Sequence, residues 1–146
     1  MLEINNTTKQ KINLKKTQSI AAEFLRVYKK ADREVSLAIV ADAKMKSLNF
    51  SYRGINKPTD VLSFLGGQPA KFLGEIVINI SEARRASKYQ AMLEELGIKL
   101  KRGQADYVFY FLFVHGLLHL SGYDDKTEKG RREMLEKGKK FLMQAT

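Results

Sequence analysis

The stretch that most constrains the fold is the apolar run YVFYFLFVHGLLHL at residues 107–120, which contains no Lys, Arg, Asp or Glu. It is too short to cross a bilayer, since a transmembrane helix needs about 20 apolar residues. Its continuous length and the glycine that follows at Gly122 favour a helix buried nearly all round over a strand. A chain of 146 residues can bury one moderate core around such a helix. We therefore expect a single domain over residues 1–146.

Shorter patterns on either side of this run predict both strands and helices. Apolar, β-branched runs predict strands over residues 2–6, 34–42, 60–64 and 72–80. Helical spacing predicts helices over residues 17–31 with Thr17 as N-cap, within 43–53, over 81–97 from a Ser81 cap to Gly97, and over 126–144. Because the two kinds of element do not alternate regularly, we predict an α+β fold. A small, partly mixed sheet of about four strands is packed by helices.

Charge and composition narrow the classes of partner and site. The chain has 26 Lys and Arg against 16 Asp and Glu, a formal net charge of +10. This surplus favours a polyanionic partner, with nucleic acid ahead of an anionic membrane. The absence of cysteine excludes disulfides, thiolate metal sites and cysteine nucleophiles. The polar opening MLEINNTTKQ lacks the pattern of a secretory signal, so we expect a cytoplasmic protein that does not associate with membranes.

Both histidines of the chain lie within the apolar run, four residues apart, at His115 and His119. On a helix this spacing places the two side chains on one face, about 5–6 Å apart at Cβ, so both imidazoles can bind one ion. Gly122 can adopt the left-handed conformation that ends a helix and turns the chain back. Asp124 and Asp125 follow that turn, where a carboxylate can return to the same ion. Two imidazoles and a carboxylate with one open position are a common catalytic zinc arrangement.

A plainer interpretation of these residues is also open. Two histidines in an apolar helix are often core side chains whose polar atoms bind backbone groups or water. Asp124 and Asp125 can equally form an ordinary turn and the cap of the last helix. The pattern alone does not choose between a metal site and a structural one.

Three segments together resemble the motifs of the bacterial YbeY family. HGLLHLSGYDD at 115–125 resembles the signature H-G-x-L-H-L-x-G-Y-D-H, and LNFSYRGINKPTDVLSF at 48–64 and LGEIVIN at 73–79 are similar to two further motifs, in the same order and spacing. The resemblance implies a metal-dependent endoribonuclease specific for single-stranded RNA. It further implies action in rRNA maturation at the 16S 3′ end and in ribosome quality control. The implied partners are rRNA and the ribosome, with ribosomal proteins as further candidates, and DNA is not expected.

The same resemblance implies roles for individual residues. It gives His115, His119 and Asp125 as metal ligands, and Arg53 and His115 as catalytic residues. This chain departs from the family pattern at one position, because the family's third ligand histidine aligns with Asp125. Aspartate binds zinc at about the same distance as histidine, although its negative charge weakens the Lewis acidity of the ion. We expect one divalent metal ion, with zinc first. The spacing also resembles the helix-and-turn site of metzincin-like peptidases, which implies a zincin-like metal-binding helix.

The residue after the first histidine bears on the type of reaction. H-E-x-x-H peptidases place a glutamate general base there, whereas this chain has Gly116, which accepts no proton. Glu75 or a metal-bound hydroxide could substitute for it, and the strand pattern leaves Glu75 open to face either the cleft or solvent. Phosphodiester cleavage suits the remaining groups, since a metal polarises a phosphoryl oxygen and a guanidinium such as Arg53 holds the negative charge of the transition state. The alternatives are a metal-dependent hydrolase of a peptide or amide, and a non-catalytic RNA-binding ribosome-assembly factor.

Residues outside these motifs receive supporting roles. We expect Asp60 and Ser63 to order the loop and strand near the site, and Met134 to pack beneath it. Around a metal cleft, clustered basic residues would contact RNA phosphates with little sequence preference, although a solvated helix face is the default interpretation of any one of them. They are Lys9, Lys11, Lys15, Lys16, Arg84, Arg85, Lys88, Lys126, Lys129, Arg131, Arg132, Lys137, Lys139 and Lys140.

Overall fold

A four-stranded sheet forms the centre of the computed structural model, which describes residues 1–67 and 70–145. Its strands are β1 (Leu2–Asn6), β2 (Glu34–Val40), β3 (Val61–Leu65) and β4 (Phe72–Asn79). Their order across the sheet is β1-β2-β4-β3, with β1, β2 and β4 parallel and β3 antiparallel to β4. The predicted α+β class and the mixed sheet of about four strands are confirmed.

Helices cover both faces of this sheet. They are α1 (Leu14–Val27), α2 (Asp42–Arg53), α3 (Ile80–Ala83), α4 (Gln90–Glu95), α5 (Tyr107–Leu120) and α6 (Glu128–Ala145), with a 3₁₀ turn at Ala86–Tyr89. The apolar run forms α5 as predicted, and its side chains are buried except at Tyr107, His115 and His119, which are partly exposed. Within the described ranges, no helix combines the length and the apolar character needed to cross a membrane.

The main core lies between the sheet and helices α1, α5 and α6. Helix α5 approaches β4 closely because Gly116 faces the strand: a Cβ at this position would lie only 2.9 Å from Cγ2 of Ile76. Phe24 of α1 and Phe141 of α6 meet edge to face, with ring centroids 5.4 Å apart. This packing sets the orientation of α5, in which His115 and His119 are two of the three partly exposed positions.

A second, smaller core lies on the opposite face of the sheet, under α2. Met45 of α2 is fully buried there against Val40, Leu62 and Val77, and Phe64 packs at its margin. By the alternation of side chains along a strand, Leu62 and Phe64 of β3 therefore face α2. This core packs the first turns of α2 against the sheet, and at the other end of the helix the ring of Tyr52 contacts Phe64 of β3.

The predicted start of the first helix is wrong. Helix α1 begins at Leu14, and its N-cap is Asn13, whose side chain accepts a hydrogen bond of 2.9 Å from the backbone N–H of Lys16. Thr17 is buried inside the helix, and its hydroxyl donates to the carbonyl of Asn13 at 2.8 Å. Two lysines in the first turn oppose the helix dipole, so the local charge pattern concealed the true start.

The long helix predicted over 81–97 is also wrong. The structure divides this stretch into α3, the 3₁₀ turn and α4, and its N-cap is Asn79 rather than Ser81. The chain departs from helical geometry at Arg85, with φ −86° and ψ 83°, where the guanidinium binds Asp42 at the start of α2. The helical periodicity of a segment does not reveal an ion pair with a distant element. The sequence pattern therefore predicted one continuous helix.

Asn79 is a fully buried polar side chain that joins three elements. Its amide donates to Oδ1 of Asp42 at 2.8 Å and to the carbonyl of Thr59 at 3.2 Å, while its oxygen caps α3. Asn79→Ala leaves several of these groups without partners, so we expect it to lower the free energy of unfolding by about 2–4 kcal/mol in urea titrations. Asn5→Ala, at an exposed position of β1, is the matched control and should change it by less than about 0.5 kcal/mol. Equal stability of the two variants would contradict a structural role for the Asn79 network.

Candidate active site

His115 and His119 lie on the side of α5 that faces a cavity rather than the core. Their spacing of four residues stacks them one above the other on the helix. The two ring centroids are 4.7 Å apart, and the rings are nearly perpendicular at 86°. The structure thus brings together the two histidines that the sequence offered as ligands.

The turn after α5 returns the chain toward these rings. Gly122 has a φ of 104°, a conformation that L side chains rarely adopt. Oδ2 of Asp125 lies 3.3 Å from Nε2 of His115 and 3.5 Å from Nε2 of His119. The neighbouring Asp124 instead accepts a hydrogen bond from the backbone N–H of Lys126 at 3.2 Å. Asp125 is therefore the aspartate that reaches the histidines.

These three side chains fit a divalent metal ion. One ring nitrogen from each of His115 and His119 and one carboxylate oxygen of Asp125 all lie within 4.8 Å of one another. Nδ1 of His119 lies 3.1 Å from the carbonyl oxygen of Tyr123, so this nitrogen carries the proton and Nε2 keeps a lone pair for a metal. Two nitrogens and one oxygen with an open fourth position are typical of catalytic zinc sites.

The environment of His115 favours its neutral, metal-binding form. Burial lowers the pKa of the His115 imidazole, and the neighbouring imidazole of His119 lowers it further, while Asp125 opposes the shift. Because a histidine binds a metal as the neutral imidazole, this shift keeps His115 ready to bind near neutral pH. Nδ1 of His115 is buried and has no hydrogen-bond partner among the residues that the structure describes.

The triad forms part of the wall of a cavity of about 720 Å³. The other walls are the loop before β3, the edge strand β3 itself, and side chains of α4, α5 and α6. Thr59 and Ser63 contribute hydroxyl groups, while Leu65, Met92 and Leu112 contribute apolar surface. The cavity therefore combines a cluster of groups that could hold a metal ion with polar groups that can contact a substrate.

Arg53 also lines this cavity. It is the last residue of α2, which ends there because Gly54 adopts a left-handed φ of 72°. No residue within 1–67 or 70–145 forms an ion pair with Arg53, whereas Arg131, the other arginine on the cavity wall, binds Glu95 and Glu128 at 2.9 Å. Of the two guanidinium groups, Arg53 is the one available for an anionic substrate.

Asp60 and Tyr89 form a link across the cavity wall that the sequence did not reveal. Oδ1 of Asp60 accepts from the backbone N–H of Val61 at 2.8 Å, and Oδ2 accepts from the hydroxyl of Tyr89 at 3.0 Å. Burial and the negative charge of Asp60 raise the pKa of Tyr89, so the phenol remains a donor. The arrangement agrees with an ordering role for Asp60. The sequence did not indicate Tyr89 as a site residue, because Tyr89 lies in the stretch that was predicted to be one regular helix.

Glu75 does not lie where a catalytic base would be needed. Side chains alternate along β4: Ile76 and Ile78 enter the main core under α5, and Val77 enters the second core under α2. Glu75 shares the face of Val77 and is therefore on the opposite side of the sheet from the histidines. Of the two faces that the sequence left open for Glu75, the register of β4 gives the one away from the histidines, which excludes Glu75 as the substitute base. Met134, by contrast, is buried in the main core, as expected.

Some basic residues offered as RNA contacts form ion pairs within the fold. The pairs are Arg84 with Asp106 at 3.2 Å, Arg85 with Asp42, and Lys88 with Glu82 at 3.1 Å. Their charges are largely balanced by these partners. Among the described residues, Arg53 by contrast has no ion-pair partner.

Comparison with known proteins assigns the family. Residues 3–146 match the family model described as Endoribonuclease YbeY. The chain belongs to the YbeY family of endoribonucleases. A protein named Endoribonuclease YbeY from Pelotomaculum thermopropionicum is 40% identical over 119 residues, covering 76% of this chain and 71% of the relative. Its namesake from Nitratiruptor sp. is 37% identical over 138 residues, covering 93% and 84%.

A solved structure supports the fold of this YbeY family member. The solution structure of TM1509 from Thermotoga maritima is similar over 99% of this chain and 89% of that one, with a TM-score of 0.59 and 27% sequence identity. The similarity extends over nearly the whole chain, including the sheet and the helix that carries both histidines.

Proposed function

We propose that this protein is a metal-dependent endoribonuclease that cuts single-stranded RNA. Membership of the YbeY family makes it an enzyme, a hydrolase whose substrate is RNA, with a role in rRNA processing. One observation carries the site: two imidazole nitrogens and one carboxylate oxygen lie within 4.8 Å of one another, beside a cavity that Arg53 also lines. The peptide or amide hydrolase and the non-catalytic assembly factor are not favoured by the family.

Each residue of the site has a part in this reaction. A bound divalent cation supplies Lewis acidity for the phosphoryl oxygen and activates water. His115, His119 and Asp125 hold that ion in place. Arg53 donates two parallel hydrogen bonds to the non-bridging phosphate oxygens, whose negative charge rises in the transition state. Asp60, held by Tyr89, keeps the loop before β3 in position around the substrate.

Zinc is the ion that the donor set favours. Imidazole nitrogen suits zinc well, whereas magnesium and calcium prefer sites made of oxygen ligands. Asp125 in place of a third histidine brings one negative charge to the site. Its charge strengthens the attraction for the cation and reduces the Lewis acidity that the cation retains.

The setting of the reaction follows from the same proposal. We infer a single domain, because the family model extends over residues 3–146. We further infer a cytoplasmic location with the ribosome, maturation of the 16S 3′ end and ribosome quality control as the tasks, and ribosomal proteins as partners. The formal charge of +10 supports an RNA-rich environment.

Cleavage of a defined RNA tests this function. Purified zinc-loaded protein should cut a labelled single-stranded RNA and leave the same sequence intact in a duplex. A chelator should stop the reaction, and added zinc should restore it. Zinc-loaded protein that binds the RNA but leaves it intact would contradict the proposal and favour the non-catalytic assembly factor.

A further inference from the structure

Large apolar side chains are exposed where α2 ends beside β3. Tyr52 is 66% exposed, Phe50 57% and Leu65 74%. Scattered exposed apolar residues are ordinary on a protein surface. This group is unusual in its place, because Arg53 and Leu65 also line the cavity that holds the histidine and aspartate cluster.

One face of the Tyr52 side chain is supported by another aromatic ring. It lies against the ring of Phe64, with centroids 4.8 Å apart and an angle of 55° between the planes. Phe64 in turn packs against the second core under α2. Tyr52 therefore offers an exposed aromatic surface with a firm support beneath it, which lowers the entropic cost of binding a flat ligand.

Tyr52 and Arg53 point in different directions from the end of the same helix. Consecutive side chains leave an α-helix about 100° apart, and their Cα atoms are separated by about 3.8 Å. Arg53 lines the cavity on the α5 side, whereas Tyr52 lies on Phe64 on the α2 side. Both the Tyr52 ring and the cavity adjoin β3, since Phe64 contacts Tyr52 while Ser63 and Leu65 line the cavity.

An extended chain that runs from the cavity to the Tyr52 ring can lie along the outer edge of β3. Asp60 and Gly66 make backbone hydrogen bonds to Asn79 and Leu73 on the β4 side. In an antiparallel pair such bonds occur at alternate residues, so the backbone N–H and C=O of Ser63 point away from β4. Among the described residues, no other strand pairs with this edge. Polar backbone groups thus line the path from the cavity to Tyr52.

We propose that Tyr52 is a stacking platform for one base of single-stranded RNA, next to the phosphate bound by Arg53. The inference rests on the proposed function, since it takes RNA as the substrate. Every base has a flat face that stacks on an aromatic ring, so the subsite is tolerant of sequence. A base within a duplex is already stacked between its neighbours. The platform therefore selects unpaired strands, which gives a physical basis for single-strand preference.

Binding experiments can separate stacking from charge. We would use single-stranded RNA carrying 2-aminopurine at each position flanking the cut site in turn, with metal-stripped protein so that the RNA stays intact. Wild type should quench the 2-aminopurine at one position, and Tyr52→Ala should abolish the quenching and weaken binding about five- to a hundredfold. The slope of log affinity against log salt concentration should stay unchanged in Tyr52→Ala. In Arg53→Ala it should become less steep by about 0.7, because one phosphate contact is lost.

Matched variants exclude a purely structural role for Tyr52. Tyr52→Phe keeps the ring and should bind as wild type does. Tyr52→Leu keeps apolar contact with Phe64 but has no aromatic face, so it should retain its melting temperature and lose the quenching. Phe50→Ala removes the exposed aromatic ring two residues earlier and should leave affinity unchanged. With zinc-loaded protein, Tyr52→Leu should raise KM for single-stranded RNA more than it lowers kcat.

Failure of this inference is distinguishable from failure of the RNA function. Wild type that binds and cuts RNA without quenching 2-aminopurine at any position, or Tyr52→Leu with wild-type affinity, would overturn the stacking platform alone. Wild type that neither binds nor cuts single-stranded RNA would overturn the proposed function, and the platform with it.

Discussion

Replacing His119 with alanine is expected to remove metal binding and RNA cleavage together. The change leaves His115 and Asp125 as the remaining ligands of the cluster, and two ligands seldom hold an ion tightly. Changes to groups that merely support a ligand cost about 10–100-fold in metal affinity, so loss of a ligand itself should cost at least about 100-fold. Zinc content after dialysis, the zinc-dependent rise in melting temperature and the RNA cleavage rate measure the effect.

Asp124→Asn is the matched control for the metal site. Asp124 neighbours Asp125 in the chain, but its carboxylate bonds the backbone N–H of Lys126 and is not part of the cluster. This variant should keep wild-type zinc content, whereas Asp125→Asn should lose affinity because an amide oxygen is uncharged. If Asp124→Asn lost zinc and Asp125→Asn kept it, the ligand assignment would be wrong.

Arg53→Ala should lower kcat for RNA cleavage by about 10²–10³-fold, the usual cost of removing one donor to a developing anion. Arg53 is not a member of the histidine and aspartate cluster, so zinc content should remain at the wild-type level. Arg53→Lys should recover only part of the rate, because an ammonium group lacks the planar fork that binds phosphate through two bonds. Rates under saturating RNA with one zinc per chain provide the measurement.

Lys46→Ala controls for the loss of one positive charge from α2. Lys46 is exposed on the same helix and does not line the cavity. Its removal should change kcat less than twofold. An equal loss of kcat in Lys46→Ala and Arg53→Ala would mean that net charge, rather than the placement of Arg53, determines the rate.

The parts of the fold that the sequence predicted depend on local pattern. The apolar length of residues 107–120 predicted α5, and β-branched runs predicted all four strands. The spacing of the two histidines, together with Gly122, offered a site where both rings and a carboxylate meet, and the structure brings these groups together. The residues alone left both aspartates open as the carboxylate, and it was the resemblance to the YbeY motif that selected Asp125.

The parts that the sequence missed depend on contacts between distant elements. Arg85 leaves the helical path where it binds Asp42, and Tyr89 reaches Asp60 from a 3₁₀ turn that periodicity does not indicate. The face occupied by Glu75 depends on the register of β4 within the sheet, which the composition of one strand does not reveal. The start of α1 was missed for a local reason instead, because Asn13 caps a first turn that contains two lysines.

The metal site is tested most directly by X-ray absorption at the zinc edge of the loaded wild-type protein. One zinc per chain is expected, with the scattering of two imidazole rings and with nitrogen and oxygen ligands at about 2.0–2.2 Å. The His115→Ala variant should lose the zinc or show a single imidazole. A wild-type spectrum without imidazole scattering, or one that stays the same in His115→Ala, would contradict a metal ion held by His115, His119 and Asp125.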